Sequence, residues 1–454
     1  MKRGRSEMQP VERVDCEEDD FDPLKRLAVM ASSLILAATI HFTHQNYLTP
    51  VWEDSGFKFF APFEWQYIFA ASSIIAVSCA VPTAIRSAAD LILVPFYCAV
   101  YIPTIVITLA IAPDTSIYLP ALTALSFSLL LAFLAARLGG MPNGGVIPAR
   151  WAIRAVVVTW IAATAILLAQ YGGQIRFVGI SGTYDQRAVT QGAVGTLIGY
   201  AQTYYLWMIN PLLLATGLLL SIKHYVLLSL FGFALIYGID AQKVAIAMPV
   251  AIACVYFAIR WMPNIALSTI TILLVETAAL IICVKIGTSP EGSAIASVFA
   301  VRTIGIPAQT FTQYYDYFAN YGFTWWSNVR IIGQLAPVTE HAQNADWPVI
   351  GRIVGEHYYP SRGVNQNANI FASDGIAAAG TVGILVVGAI FAILIFTINR
   401  ASRTWALRFA IPALLPLTFA LLNASIFTTL LSFGGFAWLL FFTLCGEPRS
   451  HTPD

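Results

Sequence analysis

The sequence predicts an all-α, polytopic membrane protein of about twelve transmembrane helices with one large extracytoplasmic loop. Three observations carry that class. Hydrophobic residues make up 58% of the 454 residues and charged residues only 11%, where soluble domains carry about 25% charge. Mean hydropathy is +0.71. Apolar runs close to the ~20 residues that one crossing needs recur along the chain, without the alternating segments of a membrane barrel.

Residues 1–24 are polar and include the acidic patch Glu17-Glu18-Asp19-Asp20. A secretory signal is not expected, because the first apolar run starts late and no small-residue cleavage site follows it. Lys25-Arg26 precede that run, so the positive-inside rule places residues 1–24 in the cytoplasm as a tail. The run itself spans 27–48, and further helices are expected at 64–85, 88–112, 117–136 and 151–170. Arg137, Arg150 and Arg154 mark a cytoplasmic connection, in agreement with the parity.

An outer loop over 171–192 separates these from helices near 194–222, 225–239, 244–259 and 265–286. Residues 25–286 thus hold nine helices. The polar stretch 287–374 follows as a large periplasmic loop. Three last helices, near 375–399, 405–423 and 427–444, complete a membrane segment over 375–444. Arg400, Arg403 and Arg408 again mark the cytoplasm, and residues 445–454 form a cytoplasmic tail. No period of 20–50 residues suggests a repeat array.

Composition excludes several functions. The formal net charge of +1 offers nothing to a nucleic acid. Cys16, Cys79, Cys98, Cys254, Cys283 and Cys445 are scattered, and none lies in the long polar stretch. Neither a disulfide framework nor a thiolate metal site is expected. Glu340-His341 and Glu356-His357 resemble acid/base pairs, but they lack metal-ligand spacing and suit a solvated loop. No metal and no cofactor are expected.

The candidate site residues lie on the predicted outer side. Lys243 stands at a helix break, either as a snorkelling end-of-helix lysine or as part of an anion site. Asp240 is its nearest candidate partner. Tyr184, Asp185 and Arg187 form a Tyr-Asp-x-Arg pattern in the 171–192 loop. With Arg302 and Arg362 these cations suit phosphate oxygens, Arg by its planar fork and Lys as a point charge. Tyr314, Tyr315, Asp316, Tyr317 and Phe318 read either as an interfacial aromatic belt or as a surface for sugar rings. Asn365, Asn367 and Asn369 lead into Asp374, which is either a helix cap or a reactive carboxylate. Gly375, Gly380 and Gly383 suit close helix packing.

In this order and on this side, the pieces resemble the oligosaccharide repeat-unit (O-antigen type, Wzy-like) polymerases, membrane glycosyltransferases of the GT-C kind. The resemblance rests on Tyr184-Asp185-x-Arg187, the Gly238–Lys243 break, and Arg302-Thr303 with Pro307 and the Tyr314–Phe318 cluster. It also rests on Asn367-Ala368-Asn369 with Asp374, Gly380 and Gly383, and covers residues 172–395. The related O-antigen ligases typically carry a His-Asn pair followed by a Glu where this chain has Asn367-Ala368-Asn369 and Asp374. That departure favours polymerase over ligase.

The resemblance implies polymerisation of polyprenyl-pyrophosphate-linked repeat units in exopolysaccharide or surface-polysaccharide biosynthesis. The site would face the periplasm from the bacterial inner membrane. Partners would be the lipid-linked donor and acceptor, the bilayer, a flippase and a chain-length regulator. Arg187, Lys243, Arg302 and Arg362 would hold pyrophosphate. Asp374, or else His357, would be the base. Tyr184, Tyr314, Tyr315, Asp316, Asn365, Asn367 and Asn369 would bind substrate. The alternatives are a ligase-type glycan transferase and a lipid-linked oligosaccharide flippase or other transporter, for which Glu276 is the main deeply placed charge.

Overall fold

A computed structural model describes residues 22–138, 145–179, 182, 186, 196–330, 332–368 and 370–446. In chain order its first helices are α1 (Pro23–Ser55), α2 (Glu64–Ser78), α3 (Ala88–Thr108), α4 (Ser116–Arg137), α5 (Ala149–Tyr171) and α6 (196–219). They are followed by α7 (Lys223–Asp240), α8 (Lys243–Trp261), α9 (Thr269–Ile286), α10 (Gly292–Tyr321) and α11 (Ile350–Tyr358). The chain ends with α12 (Phe371–Ser402), α13 (Leu407–Asn423), α14 (Ile426–Leu431) and α15 (Gly435–Leu444). No strand forms among the described residues beyond two isolated bridges. Among the described residues, eight helices (α1, α3, α4, α5, α8, α9, α10 and α12) are long and apolar enough to cross a membrane, and α13 and α15 are shorter apolar helices. The protein is therefore an all-α chain with multi-pass membrane character.

Local chemistry starts several of these helices. Asp22 accepts the Leu24 N–H at 2.9 Å with Pro23 in the first turn, a favoured helix opening. Ser87 accepts the Asp90 N–H at 3.1 Å, and Asp90 returns bonds to the Ser87 hydroxyl and the Arg86 N–H. This reciprocal cap fixes the start of α3.

Contacts between helix termini define two ends of the bundle. At one, Arg26 Nη1 donates to Cys79 O (2.7 Å) and Arg137 Nη2 to Ala80 O (2.6 Å). There, too, the Ile85 N–H reaches Leu267 O (2.8 Å), and Asn399 Nδ2 reaches Ala136 O (2.6 Å). Arg26, Arg86, Arg137, Arg400 and Arg403 gather at this arginine end. At the loop end, the Phe60 N–H donates to Ala110 O (2.8 Å), Tyr359 OH to Ser55 O (2.7 Å) and the Arg176 N–H to Gly238 O (2.8 Å).

Long as it is, α10 has both its termini at the loop end. Gly292 abuts the Ile286 carbonyl that closes α9, and Asp316 accepts from Tyr118 at the start of α4. The first part of the expected loop 287–374 is thus a helix whose two termini both stay at the loop end. Its period explains why. Ala300, Ile304, Ala308, Phe311, Tyr314 and Phe318 are buried at helical spacing, while Gln, Asp and Arg residues break up the apolar run in the linear sequence.

The other departure from a simple span lies in α12. Ala379 (φ −159°, ψ 31°) and Gly380 (φ 62°, ψ −139°) are non-helical and split it into two pieces. Gly375 and Gly383 meet face to face across the break: a Cβ on Gly375 would lie 2.5 Å from the Gly383 carbonyl carbon. The first piece therefore folds back along the second as a re-entrant half-helix. Phe371 at its start stacks on Phe391 at 4.7 Å and on Phe96 of α3 at 5.4 Å. The second piece runs along α4, with Gly388 against Ser128. Small residues admit this close approach, in the manner of helix packing in lipid.

Two hydrophobic clusters organise the interior. The larger joins α1–α4 with α9, α10 and α12–α15. The smaller joins α5–α8, with Ala420 of α13 reaching into it. A polar knot ties the smaller one together: Asn210 Oδ1 accepts from Trp160 Nε1 (2.9 Å), and Gly232 leaves room for that Asn side chain. Outward faces carry exposed Val158, Ile161, Val250, Leu274 and Val275, as a lipid-facing surface requires.

Candidate functional site

The polar residues of α10 meet the loop end in two layers. The deeper layer is a chain of hydrogen bonds. Gln309 Nε2 and Tyr359 OH both donate to Ser55 O. Gln313 Nε2 donates to Tyr359 OH (3.0 Å), and Gln366 Nε2 to Gln313 Oε1 (2.6 Å). Tyr314 OH then donates to Gln366 O (2.9 Å). Burial raises the Tyr359 phenol above its ordinary range, so it remains a donor at neutral pH. Each interior amide has a partner, which makes this chain a rigid frame for the segment leading into α12.

The residues of that segment divide between the frame and the surface. Residues 364–368 form neither helix nor strand, and their exposure changes from one residue to the next. Gln366 points inward and is buried, while Asn365 and Asn367 are exposed. Asn369, like Tyr184, Asp185 and Arg187, lies outside the described residues. Gln186 is described, and its Nε2 donates to Gln174 O (2.8 Å) and Ile239 O (3.1 Å).

The outer layer is aromatic. Both carboxylate oxygens of Asp316 accept from Tyr118 OH, at 2.9 and 2.8 Å, across 198 positions of sequence. Tyr118 also meets Tyr315 edge-on at 5.4 Å. His357 is exposed and sits among Tyr317 (5.2 Å), Tyr321 (5.3 Å) and Tyr358 (4.9 Å). His341, by contrast, is buried, with Nε2 2.8 Å from Gly322 O and its ring stacked on Trp347 at 6.4 Å. That places His341 in the frame and leaves His357 at the surface.

Asp374 lies below, on the re-entrant half-helix, near Tyr314. Only 6% of it is exposed. Its Oδ2 accepts the Ile426 N–H at 2.8 Å, and the Ser425 hydroxyl bonds to the carboxylate as well. Asp374 thus caps α14 rather than the helix it belongs to. The adjacent Ser373 hydroxyl is fully buried and has no hydrogen-bond partner among the described residues.

The expected cations do not all converge. Arg302 is exposed on the wide-turned segment Ser297–Gly305 of α10. Arg362 is exposed in the turn after α11, its charge close enough to bear on Tyr359. Lys243 opens α8 in the smaller packing unit, and Asp240 before it is held by the Gln202 and Gln242 amides. The structure therefore brings together Tyr314, Tyr315, Asp316, His357 and Gln366, with Asp374 near Tyr314, and sets Lys243 in another part of the fold. Tyr118, Gln313, Tyr359 and Gln366 share these contacts and were not among the expected residues. The amphipathic period of α10 is the signal that would have pointed to Gln313, but nothing local marks Tyr118. No family model, curated protein or solved structure matches the chain.

Proposed function

We propose that this protein is a membrane glycosyltransferase that polymerises polyprenyl-pyrophosphate-linked oligosaccharide repeat units at the outer face of the bacterial inner membrane. The observation that carries the reading is the loop-end surface on α10. A carboxylate, an imidazole and four tyrosines (Tyr315, Tyr317, Tyr321 and Tyr358) meet there over the buried Tyr118, above a buried Asp374. Aromatic faces suit the C–H patches of sugar rings, and carboxylates suit their hydroxyls.

On this reading twelve segments cross the bilayer: all the long helices except α10, together with α2, α6, α7, α13 and the pair α14–α15. The arginine end faces the cytoplasm. The reaction joins an acceptor hydroxyl oxygen to the anomeric carbon of the growing glycan while the bond from that carbon to the pyrophosphate breaks. The acceptor proton passes to a base, and the polyprenyl pyrophosphate departs with the electron pair. Arg302 and Arg362, with Arg187, stabilise that charge as fixed cations. Lys243 belongs to this cradle only if substrate spans both packing units. Asp316 and Tyr315 hold the sugar with Asn365, Asn367 and Tyr184, and Tyr314, which is fully buried, supports them through its bond to Gln366 O. Asp374 takes the proton, with His357 the alternative base.

A second reading draws on the broken α12 and on Glu276, whose Oε1 is buried in α9 without a hydrogen-bond partner. Discontinuous helices with deep polar groups are features of transporters, so this reading is a lipid-linked oligosaccharide flippase. Purified protein in proteoliposomes, given defined lipid-linked repeat units on its loop-end side, separates the two. A polymerase produces a ladder of longer glycans there. A flippase moves the lipid across and leaves its length unchanged.

A further inference from the structure

The connection between α10 and α11 carries the two most exposed large apolar side chains among the described residues. Leu335 is 92% and Val338 90% exposed, more than Val382 or Ile393 (65% each) on the outward face of α12. Single exposed aliphatic residues are ordinary, but these two stand on one short turn with the exposed Ile332, and Pro337 lies between them. Over residues 317–339 the chain holds no carboxylate, and Arg330 is its one charge, while Trp325 and Trp326 stand ahead of the turn. Tryptophan, aliphatic side chains and a lone arginine suit a membrane–water interface.

This connection leaves α10 beside the break in α12. The Thr324 N–H donates to Ala377 O (2.8 Å) and the Trp325 N–H to Ala378 O (3.0 Å). Phe323 rests on Gly380, where a Cβ would come within 3.0 Å of its ring. Trp325, half exposed, meets Phe323 edge-on at 6.0 Å. Just past Gly380 the outward stripe of α12 begins, with Val382, Val386 and Ile393 exposed at helical spacing, as a lipid-facing surface requires. The loop thus starts where the lipid-facing stripe ends.

The turn also satisfies much of its own backbone. The Gly333 N–H donates to Val329 O (2.6 Å), and the Leu335 and Ala336 N–H groups donate to Ile332 O (2.9 and 3.1 Å). Pro337 has no N–H to satisfy. Irregular backbone does not enter the hydrocarbon core exposed to lipid, so such a turn can carry its side chains to the head-group boundary and no deeper. A protein partner fits less well, because three aliphatic side chains fall short of the roughly 1,000 Å² that a specific protein interface buries.

We propose that the turn 332–338 is an interfacial anchor, in which Leu335 and Val338 insert into the lipid leaflet at the loop end and Arg330 meets the lipid phosphates. The anchor holds the α10–α11 connection down on the membrane beside the re-entrant half-helix. It requires only the multi-pass membrane character of the chain and stands whether or not the glycosyltransferase reading does.

The test uses full-length protein with Cys16, Cys79 and Cys254 replaced, reconstituted as single copies in nanodiscs of phosphatidylethanolamine and phosphatidylglycerol. A nitrobenzoxadiazole probe is placed on Leu335→Cys or, as a control on the same connection, on the exposed polar position Gln343→Cys. The probe at 335 should emit to the blue of the probe at 343 and lose intensity to lipids carrying a nitroxide near the head group, but not to aqueous iodide. The probe at 343 should show the reverse. Adding Val338→Asp should return the probe at 335 to the aqueous spectrum, since a charge beside it opposes insertion. Equal, water-like emission from both positions overturns the proposal, as does a spectrum at 335 that Val338→Asp leaves unmoved. Blue-shifted emission untouched by nitroxide lipid also overturns it, because a protein surface would then cover the turn. A shift that appears only in discs holding two copies would overturn it in favour of a second copy of this chain.

Discussion

Replacing Asp374 with Asn separates two roles that the fold superimposes on one carboxylate. Its Oδ2 lies 2.8 Å from the Ile426 N–H in a site where the residue is 6% exposed. An Asn side-chain oxygen can accept the same N–H in nearly the same volume. The cost to stability is the difference between a charge-assisted and a neutral hydrogen bond, roughly 1 kcal/mol. Asp374→Ala removes the acceptor altogether and leaves a buried donor unpaired, at about 1–3 kcal/mol plus a small cavity. Thermal unfolding in detergent should therefore rank wild type, Asn and Ala in that order, with Asn close to wild type. Turnover should rank differently. If the carboxylate takes the acceptor proton, Asp374→Asn loses about 10²–10⁴-fold in elongation rate despite its near-normal stability. The assay is single-round extension of a defined lipid-linked repeat unit by purified protein. Normal extension by Asp374→Asn would reduce Asp374 to the cap of α14 and move the base to His357 or Asp316.

Four further outcomes follow. Gly380→Ala should strain the break in α12, since φ 62° with ψ −139° is glycine territory; a loss of roughly 1–3 kcal/mol is expected by thermal unfolding. Gln366→Leu should leave Gln313 Oε1 unpaired and cost about 1–3 kcal/mol in the same measurement, whereas Asn367→Leu, on the exposed side of the segment, should cost little. Arg302→Ala should abolish polymer at normal protein levels and Arg302→Lys restore it only in part, because Lys keeps the charge and loses the fork; full activity of the Ala variant on a glycan gel would remove Arg302 from the site. With Cys79 and Cys254 replaced, a cysteine at Gln343 should react with an impermeant thiol reagent from the periplasm and one at Thr404 should not; the opposite pattern would invert the bundle.

The helices were legible because lipid demands long apolar runs, and such runs need no partner to be recognised. The architecture of α10 and α12 was not, for two reasons. In α10 the buried positions recur at helical spacing while Gln309, Gln313 and Asp316 interrupt the apolar run, so length-based reading sees a loop. In α12 the glycines at 375, 380 and 383 signal close packing, but not that the partner is the same helix folded back on itself. The polar contacts of the loop end were legible in their region of the sequence and not in their wiring. Asn365 and Asn367 drew attention because they are three alternating amides with Asn369; their neighbour Gln366 holds the inward position, and only the tertiary fold decides which parity faces in. Asp316 with Tyr118, and Asp374 with Ile426, are pairings across 198 and 52 positions that no local pattern announces.

The most direct test of glycosyl transfer is elongation by this protein alone. Proteoliposomes containing only the purified chain and a defined polyprenyl-pyrophosphate-linked repeat unit on the loop-end side, with no nucleotide sugar added, should yield lipid-linked glycans in a ladder whose rungs differ by one repeat. Translocation of that lipid without any ladder would contradict the polymerase reading and leave the broken α12 to a transporter.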